Sequence, residues 1–520
     1  MSVANHVVRE QVKNVAAMKK IVILGGGTAG WVSAAALARN AAKNGYEVII
    51  VDTAEIPTIG VGEASIPTIY DLLRHTGIDD SQVIEKGEAT FKYGIQFEGW
   101  SHPGEAYMHG FGNMGTNFGE TEFFSAWLSG ARYFTSRDLA PFIPAVTAAK
   151  KGKFARVAVR PENAAEHMFF PLCELSYALH FDASLLARLL REKALLDGAV
   201  HIRKQISDVE TNAGGITALL SDDGERIEGD LFVDCSGLYG FLARKTLEGE
   251  FEDWRAYLPC DNAIAVQSAR DSAPNLYTRS VAHSAGWRWE IQLQGRTGNG
   301  SVYCSDFISE DEATDRLLKE IEGEPITEPR KIAFKTGRMP HPWHKNCVAI
   351  GLSAGFLEPL ESTSIHLICK YAIQLEAALA SKQDAERARE KFNSDWCEET
   401  SEIRDFLMAH YVVNQRDEPF WKARRDGPKP ESLKRYLSQF SEEGWITLPG
   451  HALFGNDSWY QVLIGQGYPL NFDKFACPQK NAPQVINFLQ NVAQAVHLET
   501  DKIPHSHVDV IGDLKRKAAR

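Results

Sequence analysis

The sequence predicts an α/β fold with a mixed-sheet lobe inserted in it and a helical C-terminal region. Three observations predict this: a strand, glycine turn and helix near the N-terminus, period-two alternation over residues 255–340, and helical patterns from about residue 385. With 520 residues, the chain is long enough for several sub-domains. We predict an N-terminal arm at 1–18, a main domain at 19–380 with the lobe inserted at about 90–175 and 255–340, and a C-terminal region at 381–520.

Composition and charge exclude several kinds of function. Hydrophobic residues make up 44% and charged residues 24% of the chain, as in an ordinary globular protein. The formal net charge is −12, whereas nucleic-acid-binding domains usually carry a basic surface, so we expect no nucleic-acid partner. No run approaches the roughly 18 apolar residues that span a bilayer, so we expect no membrane partner. The eight cysteines form no C-x-x-C pair, which is typical of reduced thiols in a cytoplasmic protein.

The first predicted elements form a β-α-β unit. The apolar run Ile21–Leu24 predicts a strand, an alanine-rich helix follows it, and Glu47–Val51 predicts a second strand. Between the first strand and the helix, Gly25-x-Gly27-x-x-Gly30 matches the dinucleotide fingerprint. Its glycines allow a tight turn, close approach of a pyrophosphate and close helix packing. The alternative is a glycine turn without a ligand, and the motif alone does not distinguish FAD from NAD.

Residues around the fingerprint add to the predicted nucleotide site. Thr28 and Ala29 open the helix, whose free N–H groups and positive dipole end attract phosphate. Asp52 ends the second strand and can accept hydrogen bonds from ribose hydroxyls. About 200 residues later, an apolar strand at Leu231–Cys235 leads into Ser236. This late return is typical of FAD-binding, Rossmann-like domains of the glutathione-reductase type that a substrate lobe interrupts.

The remaining elements follow from local patterns. We predict helices at 67–77 and near Ala183–Leu196, a hairpin turn at Asp222-Asp223-Gly224, a strand at Cys347–Ile350, and a long helix after Ser362. Residues 100–141 are rich in glycine, aromatic residues and histidine and have little periodicity. We expect that stretch to form loops that cover a site.

Five spaced segments carry a family resemblance. They are Gly60 to Pro67 (GVGEASIP), Thr90 to Phe97 (TFKYGIQF), Gly286 to Gln292 (GWRWEIQ), Gly351 to Ser364 (GLSAGFLEPLESTS) and Arg404-Asp405-Phe406. From about residue 19 to 425 the chain resembles the flavin-dependent halogenases of the tryptophan-halogenase type. The third segment is close to that family's W-x-W-x-I-P signature, with Gln292 in place of the proline.

The resemblance implies a halogenase that uses FAD as FADH2, O2 and a halide, either chloride or bromide. Hypohalous acid would pass through an internal tunnel to Lys92, which matches a lysine that holds the electrophile beside an aromatic substrate. Glu361 matches a glutamate that polarises the hypohalous acid or takes the ring proton. The alternatives are a solvated surface lysine for Lys92 and a helix-end carboxylate for Glu361. Because we find one nucleotide fingerprint, a separate NADH-dependent flavin reductase is the implied partner.

The same resemblance assigns flavin and halide contacts. Besides the fingerprint residues, the flavin contacts are Gly62, Glu63, Ala64, Ser236, Gly351, Gly355 and Ser362. Ser362 relays a hydrogen bond toward the flavin, or its side chain caps the following helix. Backbone N–H groups of Thr363 and Ser364 would bind the halide at the helix start. Many relatives have glycine in place of Ser364, so halide binding requires that serine fits the local φ and ψ.

Substrate residues follow from the resemblance as well. His109 and Phe111 match a His-x-Phe on the pocket wall, and Phe111, with Trp100, would suit a flat ring. Relatives that bind free tryptophan carry a Tyr-Tyr…Glu lid, whereas this chain has the segment FGNDSWYQ, which contains Trp459. We therefore expect an indole, a substituted indole or a phenol rather than free tryptophan.

Two other functions compete with the halogenase. Trp287 and Trp289 would separate flavin from substrate and so favour halogenation, or they simply pack the sheet. A flavin monooxygenase that hydroxylates or epoxidises its substrate is the alternative enzyme, although such enzymes usually carry Gly-Asp where this chain has Gly351-Leu352. A non-catalytic flavin-binding protein is the third possibility, and it would need neither the lysine nor the glutamate.

Two features of the C-terminal half leave questions open. Scattered aromatic residues permit a homodimer without establishing one. His505 and His507 have a His-x-His spacing, but no further metal-ligand pattern accompanies them. We expect both histidines to be exposed in a terminal loop.

Overall fold

The computed structural model describes residues 18–53, 62–156, 172, 175–381 and 384–518. The predicted N-terminal arm apart from Met18, and the first two residues of the segment GVGEASIP, lie outside these ranges. The predicted domain boundaries remain predictions.

Strands are numbered along the described chain. They are β1 Lys19–Leu24, β2 Tyr46–Asp52, β3 Gly62–Ala64, β4 Thr90–Lys92, β5 Gly94–Glu98, β6 Ala106–Gly110, β7 Ala178–Asp182, β8 Val200–Arg203, β9 Ile206–Asn212, β10 Gly215–Ser221, β11 Arg226–Glu228, β12 Leu231–Asp234, β13 Glu252–Asp253, β14 Asn262–Ala269, β15 Tyr277–His283, β16 Gly286–Gln292, β17 Arg296–Tyr303, β18 Arg330–Ala333, β19 Gly337–Arg338, β20 Trp343–His344, β21 Cys347–Ala349 and β22 Gly355–Phe356.

Helices are numbered in the same way. They are α1 Thr28–Ala41, α2 Ile69–Thr76, α3 Asp80–Lys86, α4 Phe123–Gly130, α5 Pro144–Lys150, α6 Ala183–Leu196, α7 Glu310–Glu320, α8 Thr363–Ala380, α9 Ala385–Val412, α10 Pro419–Asp426, α11 Glu431–Glu443, α12 Asn456–Gly465, α13 Phe472–Phe475, α14 Ala482–Asp501 and α15 His507–Ala518. Among the described helices, none has the length and apolar character that crossing a membrane requires.

A six-stranded sheet carries the predicted nucleotide fold. Its order is β20-β21-β12-β1-β2-β8, and β1 runs parallel to both β2 and β12. Val22 and Ile23 of β1 are fully buried, as expected for a parallel strand covered on both faces. Helix α1 packs against β1 and β2, and both α6 and α8 pack against α1. The carboxyl ends of β1, β12 and β21 therefore meet at one edge, where open α/β sheets bind ligands.

A seven-stranded mixed sheet forms the predicted lobe. Its order is β18-β14-β17-β16-β15-β5-β6, antiparallel except where β5 pairs with β15. Strand β4, which ends at Lys92, belongs to a small sheet, β3-β7-β4, and leads directly into β5. This connection places Lys92 between the β3 segment and the lobe.

Most predicted elements agree with the structure, and one stretch does not. The α/β fold class is confirmed, α6 has the predicted bounds, and α2 ends one residue before the predicted end, at a left-handed Gly77. Residues 100–141 were expected to be loops, but they contain β6 and α4. The expectation was wrong because β6 is stabilised by antiparallel pairing with β5 rather than by its own sequence pattern.

Candidate active site

The glycine turn after β1 is packed so tightly that side chains are excluded. Gly25 has a φ of +114°, and a Cβ there would lie 2.3 Å from the carbonyl oxygen of Cys235. A Cβ on Gly30 would lie 1.8 Å from the carbonyl oxygen of Gly25. In contrast, a Cβ on Gly27 would meet no atom within 4 Å. The turn thus leaves space on the Gly27 side, where the fingerprint requires close approach of a pyrophosphate.

Helix α1 begins beside that space without a side-chain cap. Gly27 is its N-cap residue, and no side chain bonds the first-turn N–H groups. Uncapped N–H groups at Thr28 and Ala29, together with the helix dipole, suit a phosphate. Asp52 ends β2, and its Oδ1 accepts a hydrogen bond from Nε2 of His201 at 2.7 Å. These residues fit an FAD dinucleotide, whose ribose would meet Asp52.

The later flavin segments converge on the same edge of the sheet. The Asp234 carboxylate accepts hydrogen bonds from the N–H and hydroxyl of Ser236, at 3.0 and 2.6 Å, and fixes that turn. Gly351 has a φ of +79°, and a Cβ there would lie 2.8 Å from Cβ of Ala29. At Gly355 a Cβ would lie 2.7 Å from a carbonyl oxygen in β19. The lack of space for a Cβ at both positions, together with the positive φ of Gly351, therefore explains why glycine stands there.

The segment Gly62–Ala64 lies against the lobe. As strand β3 it pairs with β7, and a Cβ on Gly62 would lie 3.2 Å from Cγ2 of Ile291 in β16. Burial raises the pKa of the Glu63 carboxyl to about 7.

A separate cavity of about 280 Å³ opens next to the Gly351 turn. It is lined by Leu238, Arg244, Phe251, Ala333, Phe334, Lys335, Leu352 and Phe356, and thus by neither of the two predicted catalytic residues.

Lys92 is buried, and its two hydrogen bonds to described residues are both to neutral oxygens. Its Nζ donates to the carbonyl oxygen of Ser65 at 3.0 Å and to Oγ of Ser362 at 2.9 Å. The same atom lies 5.2 Å from the ring centroid of Phe111. Burial lowers the pKa of the amine to about 7, against the opposing effect of Glu361. Lys92 is therefore not the solvated surface lysine that was the alternative, and its amine loses its proton more readily than that of an exposed lysine.

Glu361 is enclosed by two histidines. His109 donates from Nδ1 to both carboxylate oxygens, at 3.0 and 3.1 Å. Nε2 of His410, on α9, lies 2.9 Å from Oε1. Burial alone would raise the pKa of Glu361, but the two imidazoles outweigh it and lower that pKa to about 2. The side chain therefore remains a carboxylate, able to accept a proton at neutral pH.

The start of α8 fits an anion. Ser362 is left-handed, with a φ of +59°, and its side chain does not cap the helix, since its oxygen accepts from Lys92 instead. The buried hydroxyl of Thr363 has no hydrogen-bond partner among the described residues. Ser364 lies inside the helix and is not among the residues with positive φ. Ser364 thus meets the condition set on its φ and ψ, because the left-handed residue is Ser362, and the helix start can hold a halide.

The tryptophan pair is anchored by a second buried glutamate. Trp287 is buried, and its Nε1 donates to Oε2 of Glu358 at 3.3 Å. The hydroxyl of Tyr411 donates to the same oxygen. Burial raises the pKa of the Glu358 carboxyl to about 7. Trp289 lies on the same strand with its ring centroid 6.2 Å from that of Trp287, so the pair forms a continuous aromatic surface.

Two of the predicted substrate residues, His109 and Trp459, pack against the ring of Phe406, whereas Phe111 lies beside Lys92. His109 lies in β6, and Phe111 comes directly after the end of that strand, where it packs against Ile66. Trp459, on α12, packs edge-on against Phe406 at 5.3 Å. Trp100 is buried, and its Nε1 donates to the carbonyl oxygen of Ser280 at 3.1 Å. Its place beside the substrate stays a prediction.

Sequence patterns missed three contributors to the site. The Ser65 carbonyl acts through its backbone, and His410 approaches from α9 with no motif to indicate it. His507 was expected to be exposed, which is wrong. It is buried at the start of α15, and its Nε2 accepts from the N–H of Phe91, next to Lys92, at 2.9 Å. Burial lowers the pKa of this imidazole to about 4, which keeps it a neutral acceptor.

The chain is similar to known halogenases over nearly its whole length. A family model described as tryptophan halogenase matches residues 20–479. Tryptophan 6-halogenase ThaL of Streptomyces albogriseolus is 34% identical over 517 residues, covering 93% of this chain and 94% of that protein. Two solved structures, BrvH, a flavin-dependent halogenase from Brevundimonas sp. BAL3, and Xcc4156, a flavin-dependent halogenase from Xanthomonas campestris, each match with a TM-score of 0.88 and 36% identity. They cover 96% of this chain, and 99% and 98% of their own lengths.

Proposed function

The chain belongs to the tryptophan halogenase family of flavin-dependent enzymes, and we propose that it chlorinates or brominates an electron-rich aromatic such as indole or a substituted indole. The observation that carries this proposal is the buried, weakly basic Lys92 beside the Glu361 carboxylate. A protein that only binds flavin has no need for a buried amine beside a buried carboxylate, because burying such groups costs stability.

The proposed cofactor and co-substrates are FADH2, O2 and chloride or bromide. When bound, the flavin would supply the oxidising chemistry, in which FADH2, O2, X⁻ and H⁺ give FAD, HOX and H2O. The turn at Gly27 and the start of α1 would hold its pyrophosphate, and Thr363 and Ser364 would hold the halide. Trp287 and Trp289 would keep the substrate away from the flavin, which favours halogenation over hydroxylation.

At the substrate, Lys92 and Glu361 would have different roles. The neutral amine would hydrogen-bond or capture the hypohalous acid and hold the halogen beside one ring position. The carboxylate would take the proton that the ring loses when it regains aromaticity. Lys92 donates a hydrogen bond to Ser362, the residue after Glu361, and this bond would hold the amine near the carboxylate.

The proposal of an indole-type substrate rests on the aromatic residues that are predicted to contact it. His109, Phe111 and Trp459 offer aromatic surface. The sequence has no Tyr-Tyr…Glu lid that would clamp the ammonium and carboxylate of a free amino acid. We further propose a separate NADH-dependent flavin reductase as partner, a cytoplasmic location, and a homodimer as the assembly to test.

Mass spectrometry of reaction mixtures tests the proposal. The protein is incubated with FAD, a flavin reductase, NADH and O2, and with indole, a phenol or tryptophan, in chloride, in bromide and without halide. We expect halogenated indole that vanishes without halide. Addition of oxygen regardless of halide would instead establish the aromatic monooxygenase.

A further inference from the structure

His410 lies against Glu361 in the interior, and both side chains are fully shielded from solvent. Nδ1 of His410 lies 2.9 Å from the carbonyl oxygen of Phe406, one helical turn earlier on α9. Nε2 lies 2.9 Å from Oε1 of Glu361 and has no well-aligned hydrogen-bond partner among the described residues. Among the described residues, Nε2 of His410 therefore has the Glu361 carboxylate as its close polar neighbour.

These two contacts determine which protons the ring must carry. A carbonyl oxygen only accepts hydrogen bonds, so Nδ1 of His410 carries a hydrogen. If the ring were neutral, an unprotonated Nε2 would lie 2.9 Å from a carboxylate oxygen, with no solvent to relieve the repulsion between the two electron-rich atoms. A second ring proton, on Nε2, turns this repulsion into an ion pair.

We propose that His410 holds a proton for Glu361 and that the two residues act as the proton store of the halogenation step. The inference rests on the proposed function. It makes His410 a positioning residue, since it acts through Glu361 and not by touching the substrate.

The proton count of the reaction fits a pair that gives one proton and recovers one. As hypohalous acid transfers its halogen to the ring, the C–X bond forms, the O–X bond breaks and hydroxide leaves. The proton of His410 passes through Glu361 to this hydroxide, giving water. The C–H bond then breaks, its electron pair restores the aromatic ring, and Glu361 returns the ring proton to His410. The pair ends in its starting state without another oxidant or reductant.

Other titratable groups face the pair from neighbouring elements. His109, on β6, donates to the carboxylate of Glu361. Lys92 on β4 and Tyr107 on β6 interact with the same carboxylate electrostatically. The remaining sides of His410 are covered by the rings of Phe97, Trp100 and Phe406, which do not titrate, at centroid distances of 4.8, 6.1 and 5.1 Å. Among the described residues, Glu361 is thus the carboxylate with which this imidazole pairs.

Nitrogen NMR of isotope-labelled histidine tests the stored proton without substrate. His410→Asn, whose amide can still donate to Phe406, assigns the signal by its loss. We expect both ring nitrogens of His410 to carry hydrogen at neutral pH in the wild type, and one to lose it in Glu361→Gln. An unprotonated ring nitrogen at this position in the wild type would overturn the proposal, whatever product the enzyme makes.

Turnover supplies a second, independent test. His410→Asn and His410→Gln both remove the stored proton, but the glutamine amide can still donate to Glu361. We expect each to lower kcat about tenfold or more in mildly alkaline solution, with KM nearly unchanged. The loss should shrink as the pH falls, because protons from solution then become more available to the leaving hydroxide. An equal loss at every pH, or full rescue by His410→Gln, would contradict the proposal. A wild type without halogenated product would refute the proposed function, while the NMR result would still decide where the proton lies.

Discussion

Glu358 and Glu361 stand three residues apart in one segment and are equally buried, yet their surroundings differ. Glu358 accepts from Trp287 and Tyr411, which are neutral donors, and burial raises its pKa to about 7. At Glu361, burial is outweighed by His109 and His410, and the pKa falls to about 2. The partners, and not the depth of burial, decide which carboxyl is charged.

The difference in charge predicts different roles for the two glutamates of this segment. Glu358 can hold Trp287 in place in its neutral form, since hydrogen-bond acceptance needs no charge. Glu361 stays ionised at neutral pH and can therefore accept a proton from the substrate ring. We expect the acid–base role at Glu361 and an anchoring role at Glu358.

Glu361→Gln should cause the larger change of the two. An amide of the same shape cannot take the ring proton, so we expect kcat to fall by about 10² or more. The measurement is halogenated product formed per minute with the reductase in excess. An unchanged rate would reduce Glu361 to a charge at a helix start and remove the contrast between the two glutamates.

Glu358→Gln should change the rate far less, by about threefold at most, because the amide oxygen still accepts from Trp287 and Tyr411. Glu358→Ala, which removes the acceptor, is the matched control and should raise the ratio of hydroxylated to halogenated product. If Glu358→Gln is as slow as Glu361→Gln, the assignment of separate roles is wrong.

The two amide variants should shift the melting temperature in opposite directions. Between pH 4.5 and about 7 the unfolded chain ionises Glu358 while the folded protein keeps it protonated, so stability falls as pH rises, by roughly 3 kcal/mol at most. Glu358→Gln should therefore raise Tm in alkaline buffer.

The contribution of Glu361 to stability depends on pH in the opposite direction. Its stabilisation is present above pH 4.5 and is lost as pH falls toward about 2, so Glu361→Gln should lower Tm at neutral pH. Scanning calorimetry of both variants across pH measures the effect, and shifts of the same sign would contradict the assigned charges.

Local patterns predict much of this molecule. The fingerprint Gly25-x-Gly27-x-x-Gly30 is recognisable because a turn, a strand and a helix lie within one short stretch. Lys92 and Glu361 could be identified from their motifs by resemblance to relatives. Their environment could not, because His109 is 252 residues from its carboxylate and the Ser65 carbonyl has no side-chain signature.

Two failures have the same physical origin. Strand β6, within residues 100–141, exists because it pairs with β5, and its glycine and histidine content conceals that pairing. His507 is buried because the chain end returns to bond the backbone of β4. Contacts between distant parts of the chain decide both, and no short sequence window contains them.

The most direct test of the account compares halogenated product with flavin oxidation in Lys92→Ala. The exposed Lys86→Ala provides the matched control, because that lysine pairs with Glu192 at the surface. We expect Lys86→Ala to match the wild type, and Lys92→Ala to oxidise FADH2 at a normal rate while forming no halogenated product. Halogenated product at the wild-type rate from Lys92→Ala would contradict the account, because the halogen would then reach the ring without the buried amine.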